Sequence, residues 1–63
     1  MLLKKYKSNF IEELSSIYDE MEAESFFYLI LEHLHQFKRI DLALNPDFEI
    51  SESDKVRWEN ILS

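Results

Sequence analysis

Apolar residues recur at steps of three and four along most of the chain, which is the spacing of one face of an α-helix. Over residues 2–18 this apolar face consists of Leu3, Tyr6, Phe10, Leu14 and Ile17. The pattern predicts a first amphipathic helix over this range. Asp19 follows it as a polar break, and its carboxylate is of the type that caps the N-terminus of the next helix.

Residues 20–36 form the most apolar part of the chain and predict a second, central helix. Its expected core face consists of Ala23, Phe26, Phe27, Ile30, Leu34 and Phe37, and Tyr28, Leu29 and Leu31 make it apolar on nearly all sides. The apolar run from Phe26 to Leu31 also fits a buried strand. The helical spacing extends beyond that run, however, and no turn residues bound it, so we expect a helix that packs on more than one side.

A short third helix is predicted over residues 38–44. Its expected buried residues are Ile40, Leu42 or Ala43, and Leu44. The helix should end at Asn45-Pro46-Asp47, because a proline disfavours the helical conformation of the residue before it. Phe48 and Ile50 then flank Glu49 in a connector that we expect to be extended.

A fourth helix is predicted over residues 51–62, where Ser51 and Asp54 have the spacing of a capping box. Its apolar face consists of Trp58, Ile61 and Leu62. The helix should run into Ser63 without a stop signal, as in a frayed natural end or a chain cut from a longer protein. The pattern as a whole predicts an all-α fold, a single domain over residues 1–63 made of a small bundle of about four helices.

Composition restricts the chemistry open to this domain. The 63 residues include no glycine, no cysteine and one proline, and 46% are hydrophobic, which is too apolar for a disordered chain. Without cysteine there is no disulfide, thiolate metal site or thiol nucleophile. Without glycine, a phosphate-binding loop is excluded and tight hairpins are disfavoured.

Charge and hydropathy favour a cytoplasmic protein. Seven Lys and Arg against thirteen Asp and Glu give a net charge of −6, whose sign disfavours direct contact with nucleic acid. The longest apolar run is far shorter than the roughly 20 residues that span a bilayer. The N-terminus also lacks the features of a signal peptide. We expect no contact with a membrane.

The sequence predicts no catalytic, cofactor-binding or metal-ligating residue in this chain. His33 and His35 stand at i and i+2, so they point to different sides of a helix and cannot share a metal. Glu12 and Glu13 are interpreted as a solvated helix face rather than as an acid–base pair. The aromatic residues expected in the core are Tyr6, Phe10, Phe26, Phe27 and Phe37.

Three residues are candidates for contact with a partner. Lys38 and Arg39 lie at the junction of two predicted helices, either as a partner contact or, slightly favoured, as ordinary cations at a helix end. Trp58 is expected to be half exposed, and an exposed tryptophan beside apolar neighbours marks an interface. These features indicate a binding or positioning module.

The chain resembles, over nearly its whole length and most convincingly over residues 22–54, the N-terminal domain of HemK-type (PrmC) release-factor glutamine methyltransferases. That domain has an acidic and apolar helix ending in a histidine, then an arginine before a leucine-rich helix, a Pro-Asp step and an acidic capped helix. The matching residues here are His33, Arg39, Leu42, Leu44, Pro46, Ser51 and Glu52. Two positions depart from the pattern, since Gln36 and Lys38 stand where many relatives carry glycine and a small polar residue.

The resemblance implies a role in substrate recognition. In this family, a separate α/β domain binds S-adenosylmethionine through a glycine-rich loop and holds the target glutamine with an Asn-Pro-Pro-Tyr motif. This chain has neither feature, since Asn45-Pro46-Asp47-Phe48 is not a version of that motif. The helical domain precedes the catalytic one and helps to hold the peptide chain release factor, whose Gly-Gly-Gln glutamine is methylated.

The leading hypothesis is therefore an excised, monomeric recognition domain, with no enzyme activity or cofactor of its own. Its full-length parent would be the enzyme and would carry the S-adenosylmethionine, in a methyltransferase domain covalently linked to this one. The alternative is a free-standing acidic helical module for protein interaction or dimerisation. That alternative predicts an exposed apolar surface around Trp58, Ile61 and Leu62.

Overall fold

The computed structural model describes residues 1–62, and within this range it contains four helices. In chain order these are α1 (Leu3–Leu14), α2 (Glu20–His35), α3 (Arg39–Leu44) and α4 (Glu52–Leu62). The predicted all-α fold is confirmed. Ser63, into which we expected the last helix to run, lies outside the described residues.

Helix α1 ends at Leu14, four residues before the predicted end at residue 18. The Ser15 hydroxyl donates a 2.7 Å hydrogen bond to the Glu12 carbonyl oxygen, a local bond of the kind that competes with regular helix. Ile17 was expected on the buried face, but it is exposed. With no apolar burial at Ile17, tertiary packing does not stabilise another turn of helix.

Helix α2 begins and ends with defined caps. The Asp19 carboxylate accepts a 2.8 Å hydrogen bond from the Glu22 N–H, so the predicted N-terminal cap is confirmed. At the other end, Gln36 adopts the left-handed conformation with φ 54° and ψ 32°. Glycine is the residue that adopts this conformation without a steric penalty, so a glutamine here needs support from the surrounding structure.

Helix α3 presents less of its apolar surface to the core than its sequence predicts. Leu42 is buried, whereas Ile40 and Leu44 are 61% and 71% exposed, so the expectation that both are buried is wrong. The two residues stand at i and i+4 and share one face of the helix, on the side away from Leu42. A helix of six residues rests on the core along one side only. It ends at Leu44, before Pro46, as predicted.

The connector between α3 and α4 is hydrogen-bonded to the N-terminal residues of the chain. Its backbone pairs with the N-terminus in a single antiparallel bridge between Leu2 and Glu49. The Leu3 N–H donates to the Phe48 carbonyl at 2.9 Å. Helix α4 then starts with the predicted capping box, in which the Ser51 hydroxyl accepts from the Asp54 N–H at 3.1 Å and the Asp54 carboxylate accepts from the Ser51 N–H at 3.0 Å.

The core is organised around Trp58, whose side chain is 0% exposed. Its rings stack on Phe27 at a centroid distance of 5.0 Å and meet Tyr6 and Phe10 edge-on at 5.3 and 5.8 Å. The other core residues are Leu3, Phe10, Phe27, Ile30, Leu31, Leu42 and Ile50. Phe26 was expected among them, but it lies at the surface and contacts the ring of Tyr18.

The indole N–H of Trp58 is satisfied by an acceptor on α2. It donates a hydrogen bond to His35 Nε2 at 3.1 Å. This bond requires the neutral form of the imidazole, because a protonated ring has no acceptor nitrogen. Partial burial lowers the pKa of His35; the carboxylate of Asp54 opposes this shift and the guanidinium of Arg57 adds to it.

We expect replacement of Trp58 by alanine to unfold most of the protein. Truncating a buried tryptophan removes about 3–5 kcal/mol. A domain this small has a total stability of only about 3–5 kcal/mol. Urea denaturation followed by circular dichroism measures the loss. Val56→Ala, at an exposed position of the same helix, is the control, and a Trp58→Ala variant as stable as this control would contradict the central role of the indole.

We also expect the stability of the fold to decrease as the pH falls below about 6.5, the usual pKa of histidine. The pKa of His35 is lower in the folded chain, so the unfolded chain binds the proton more readily in this range. The loss begins near the unfolded pKa and levels off below the folded one. Thermal unfolding between pH 7.5 and 5.5 measures it. His35→Gln should abolish this dependence, whereas the exposed His33→Gln should preserve it.

Candidate functional site

Trp58 is not available for contact with a partner. The expectation that it would be half exposed is wrong, because the indole is fully enclosed by residues of α1 and α2. The physical reason is its size. Burying the largest apolar side chain gives more stabilisation than burying a smaller one, and its single polar group finds an acceptor inside the fold.

Lys38 and Arg39 both lie at the surface, as candidates for partner contact require, but their surroundings differ. Lys38 precedes the first residue of α3, and its N–H donates to the Asp41 carboxylate at 2.8 Å. The Arg39 guanidinium lies 3.5 Å from Glu24 Oε1 and 4.5 Å from the centroid of the Tyr28 ring. Arg39 is therefore partly committed to contacts within the chain.

Arg39 belongs to a cluster that joins three helices. On its other side, Lys7 Nζ donates to the Tyr28 hydroxyl at 2.8 Å and lies 3.5 Å from Glu24 Oε2. The cluster thus connects α1, α2 and α3 through one carboxylate and one phenol. Sequence reasoning missed it because the partners stand on different helices, where no spacing along the chain relates them.

A groove runs between α1 and α4. The α1–α4 groove, as we call it, has a volume of about 790 Å³. Its apolar part consists of Tyr6 and Phe10 on α1 and Leu62 on α4, and its acidic part of Glu12, Glu13 and Glu59, with Lys55 and Met1 also in the lining. Burial, together with the carboxylates of Glu59 and Glu13, raises the pKa of the Tyr6 hydroxyl. The carboxylates of Glu59 and Glu13 therefore add to burial in disfavouring the charged form of the Tyr6 hydroxyl.

A second surface, the α2–α4 patch, is almost entirely apolar. It consists of Leu29, Ile30, His33 and Ile61 around a hollow of about 360 Å³. Leu29 is 67% exposed. The patch matches the part of the predicted apolar surface that involves Ile61, with Leu29 in place of the buried Trp58.

The described residues provide no metal-binding group of three His, Asp or Glu side chains. Within residues 1–62, none of the helices is both long enough and apolar enough to cross a membrane. His33 and His35 point in different directions as predicted, since the first is exposed and the second contacts Trp58. The surface features described so far are therefore the α1–α4 groove, the α2–α4 patch and the exposed Lys38.

The chain is 50% identical, over 62 residues, to a release factor glutamine methyltransferase of Flavobacterium psychrophilum. The match includes 98% of this chain but 22% of the length of that protein, so the chain spans about a fifth of it. No family model matches the chain. No solved structure matches it significantly. The extent of the identity agrees with the predicted resemblance over nearly the whole chain, and the chain is confirmed as similar to the N-terminal domain of HemK-type release factor glutamine methyltransferases.

Proposed function

We propose that this chain is the substrate-recognition domain of an S-adenosylmethionine-dependent protein-glutamine methyltransferase. In this proposal the full-length protein methylates the Gly-Gly-Gln glutamine of a peptide chain release factor, in the cytoplasm, and so acts in translation termination. The supporting observation is the 50% identity along nearly the whole chain to a protein named as a release factor glutamine methyltransferase. The fold adds a physical argument, since its surface carries a groove and an apolar patch of the kind that bind another protein.

A separate recognition domain has a clear physical use for such an enzyme. The reacting glutamine lies at the tip of a protein, and a flexible tip loses much orientational freedom when it enters an active site. A domain that binds the same substrate elsewhere makes the entry of the tip effectively intramolecular. The methyl donor and the reacting groups would lie in the linked methyltransferase domain, and this chain would contribute binding free energy.

Removal of residues 1–63 from the full-length enzyme tests the proposal. We expect the KM for the release factor to increase by about tenfold or more, equivalent to the loss of about 1.4 kcal/mol of binding. The affinity for S-adenosylmethionine should be unchanged, and this measurement is the control for folding of the remaining domain. An unchanged KM together with unchanged cofactor binding would rule out a recognition role.

Substitution of Lys38 by glutamate tests whether this exposed cation contacts the release factor. Lys38 is the sharper choice of the two neighbouring cations, because replacing Arg39 would also break its ion pair with Glu24. We expect about a threefold to tenfold increase in KM at unchanged kcat, since surface charges of an interface act mainly on encounter. Lys5→Glu, on the exposed side of α1, introduces the same change of charge as a control. Equal KM values for the two variants would exclude a contact at Lys38.

A dimerisation module remains the second candidate, and the exposed Leu29 and Ile61 of the α2–α4 patch favour it. In that role the patch would pair with the same patch of a second chain. Sedimentation equilibrium of the chain distinguishes the two functions. A monomer at micromolar concentration is the outcome expected for the recognition domain, and a dimer that Leu29→Glu dissociates is the outcome expected for the alternative.

A further inference from the structure

The α1–α4 groove combines an apolar floor with an acidic rim. Of its apolar lining residues, Phe10 is buried, Tyr6 is partly buried and Leu62 is 43% exposed. A second hollow of about 320 Å³, lined by Phe10, Glu13, Leu14, Glu59 and Leu62, continues the groove. The two hollows share an apolar floor on which a large apolar side chain would fit.

The rim carboxylates stand on both walls. Glu13 projects from α1 and Glu59 from α4, and Glu12 adds a third carboxylate beside Glu13. None of the ion pairs formed within residues 1–62 involves these three side chains. Two cations also line the groove. Lys55, one helical turn before Glu59, pairs with Glu52 at 3.5 Å, and the N-terminal ammonium of Met1 donates to the Ile50 carbonyl at 3.4 Å. The groove therefore has an acidic side whose three carboxylates form no ion pair within residues 1–62.

We propose that the α1–α4 groove binds a segment of the release factor that presents a large apolar side chain flanked by lysine or arginine. The apolar side chain occupies the floor formed by Tyr6, Phe10 and Leu62. The flanking cations face Glu13 and Glu59. This inference rests on the proposed function for the identity of the partner, and on charge complementarity for the identity of the segment.

The two parts of the groove have different energetic roles. An apolar anchor in a concave site provides most of the binding energy and is insensitive to salt. Carboxylates at the rim accelerate encounter and orient the segment, and their contribution is screened by salt. The sign of the charge also selects among partners, since a carboxylate-rich groove repels nucleic acid and acidic segments.

Two double variants of the full-length enzyme test the charged part. The first, Glu13→Lys with Glu59→Lys, reverses the rim. The second, Glu32→Lys with Glu49→Lys, makes the same change of net charge at exposed positions outside the groove. We expect the rim variant to increase the KM for the release factor about tenfold at low ionic strength and by much less at about 0.5 M salt, since salt screens such contacts. The second variant should resemble the wild type.

A pair of single variants tests the apolar part. Leu62→Ser removes an apolar group from the groove, and Leu44→Ser removes one from an exposed position of α3. We expect Leu62→Ser alone to increase the KM, by about threefold to tenfold and to the same extent at low and high salt. Circular dichroism of every variant confirms that the fold is retained.

Two outcomes overturn the groove proposal without touching the proposed function. One is a rim variant with the KM of its charge-matched control, while removal of residues 1–63 still increases the KM. The other is a rim effect that persists at high salt and is accompanied by loss of helix, which would show a defect of folding. If removal of the whole domain leaves the KM unchanged, the proposed function itself fails, and with it the choice of the release factor as partner.

Discussion

The fold depends on one side chain, the indole of Trp58, and on the acceptor that His35 provides for it. A chain of this length has room for one small core, and a tryptophan fills much of that core by itself. The indole touches residues of α1 and α2 while it belongs to α4, so three helices meet on its rings. Its N–H would be an expensive buried donor without His35, which makes one neutral imidazole a condition of the packing.

The same side chain shapes the surface that we assign to binding. Both α1 and α4 pack on the central helix α2, and the indole lies between Tyr6 and Phe10 of α1 and its own helix. The residues of α1 that the indole contacts, Tyr6 and Phe10, also line the groove between α1 and α4, and the acidic rim comes from the outward positions of two amphipathic helices.

Much of the fold could be predicted from the sequence because its signals are local. The caps at Asp19 and Ser51 are contacts between residues three apart, and the helices follow from apolar periodicity. The exposure of Ile40 and the burial of Trp58 could not be predicted in the same way. Periodicity shows which residues share a face, but not which faces find a partner in space. The cluster of Arg39 with Glu24 escaped prediction for the same reason. A binding role was predicted from the lack of catalytic residues and from the resemblance, but neither predicted the α1–α4 groove.

The turn at Gln36 links helix α2, which contributes to the core, to the exposed cations Lys38 and Arg39. A left-handed residue other than glycine is unfavourable by about 1–2 kcal/mol, so the rest of the structure has to hold it. The tertiary contacts on either side do so. Phe37, the next residue, packs on Phe48 of the connector at a centroid distance of 4.6 Å, and Phe48 in turn meets the ring of His35 at 5.9 Å. His35, which accepts the hydrogen bond from Trp58, is therefore in contact with the residues that fix the turn. This turn determines the position of Lys38 at the surface. A substitution at His35 would therefore affect the position of Lys38 through Phe48 and Phe37. For this reason, a loss of binding in a variant near the start of α3 is interpretable only when the stability of the same variant is also measured.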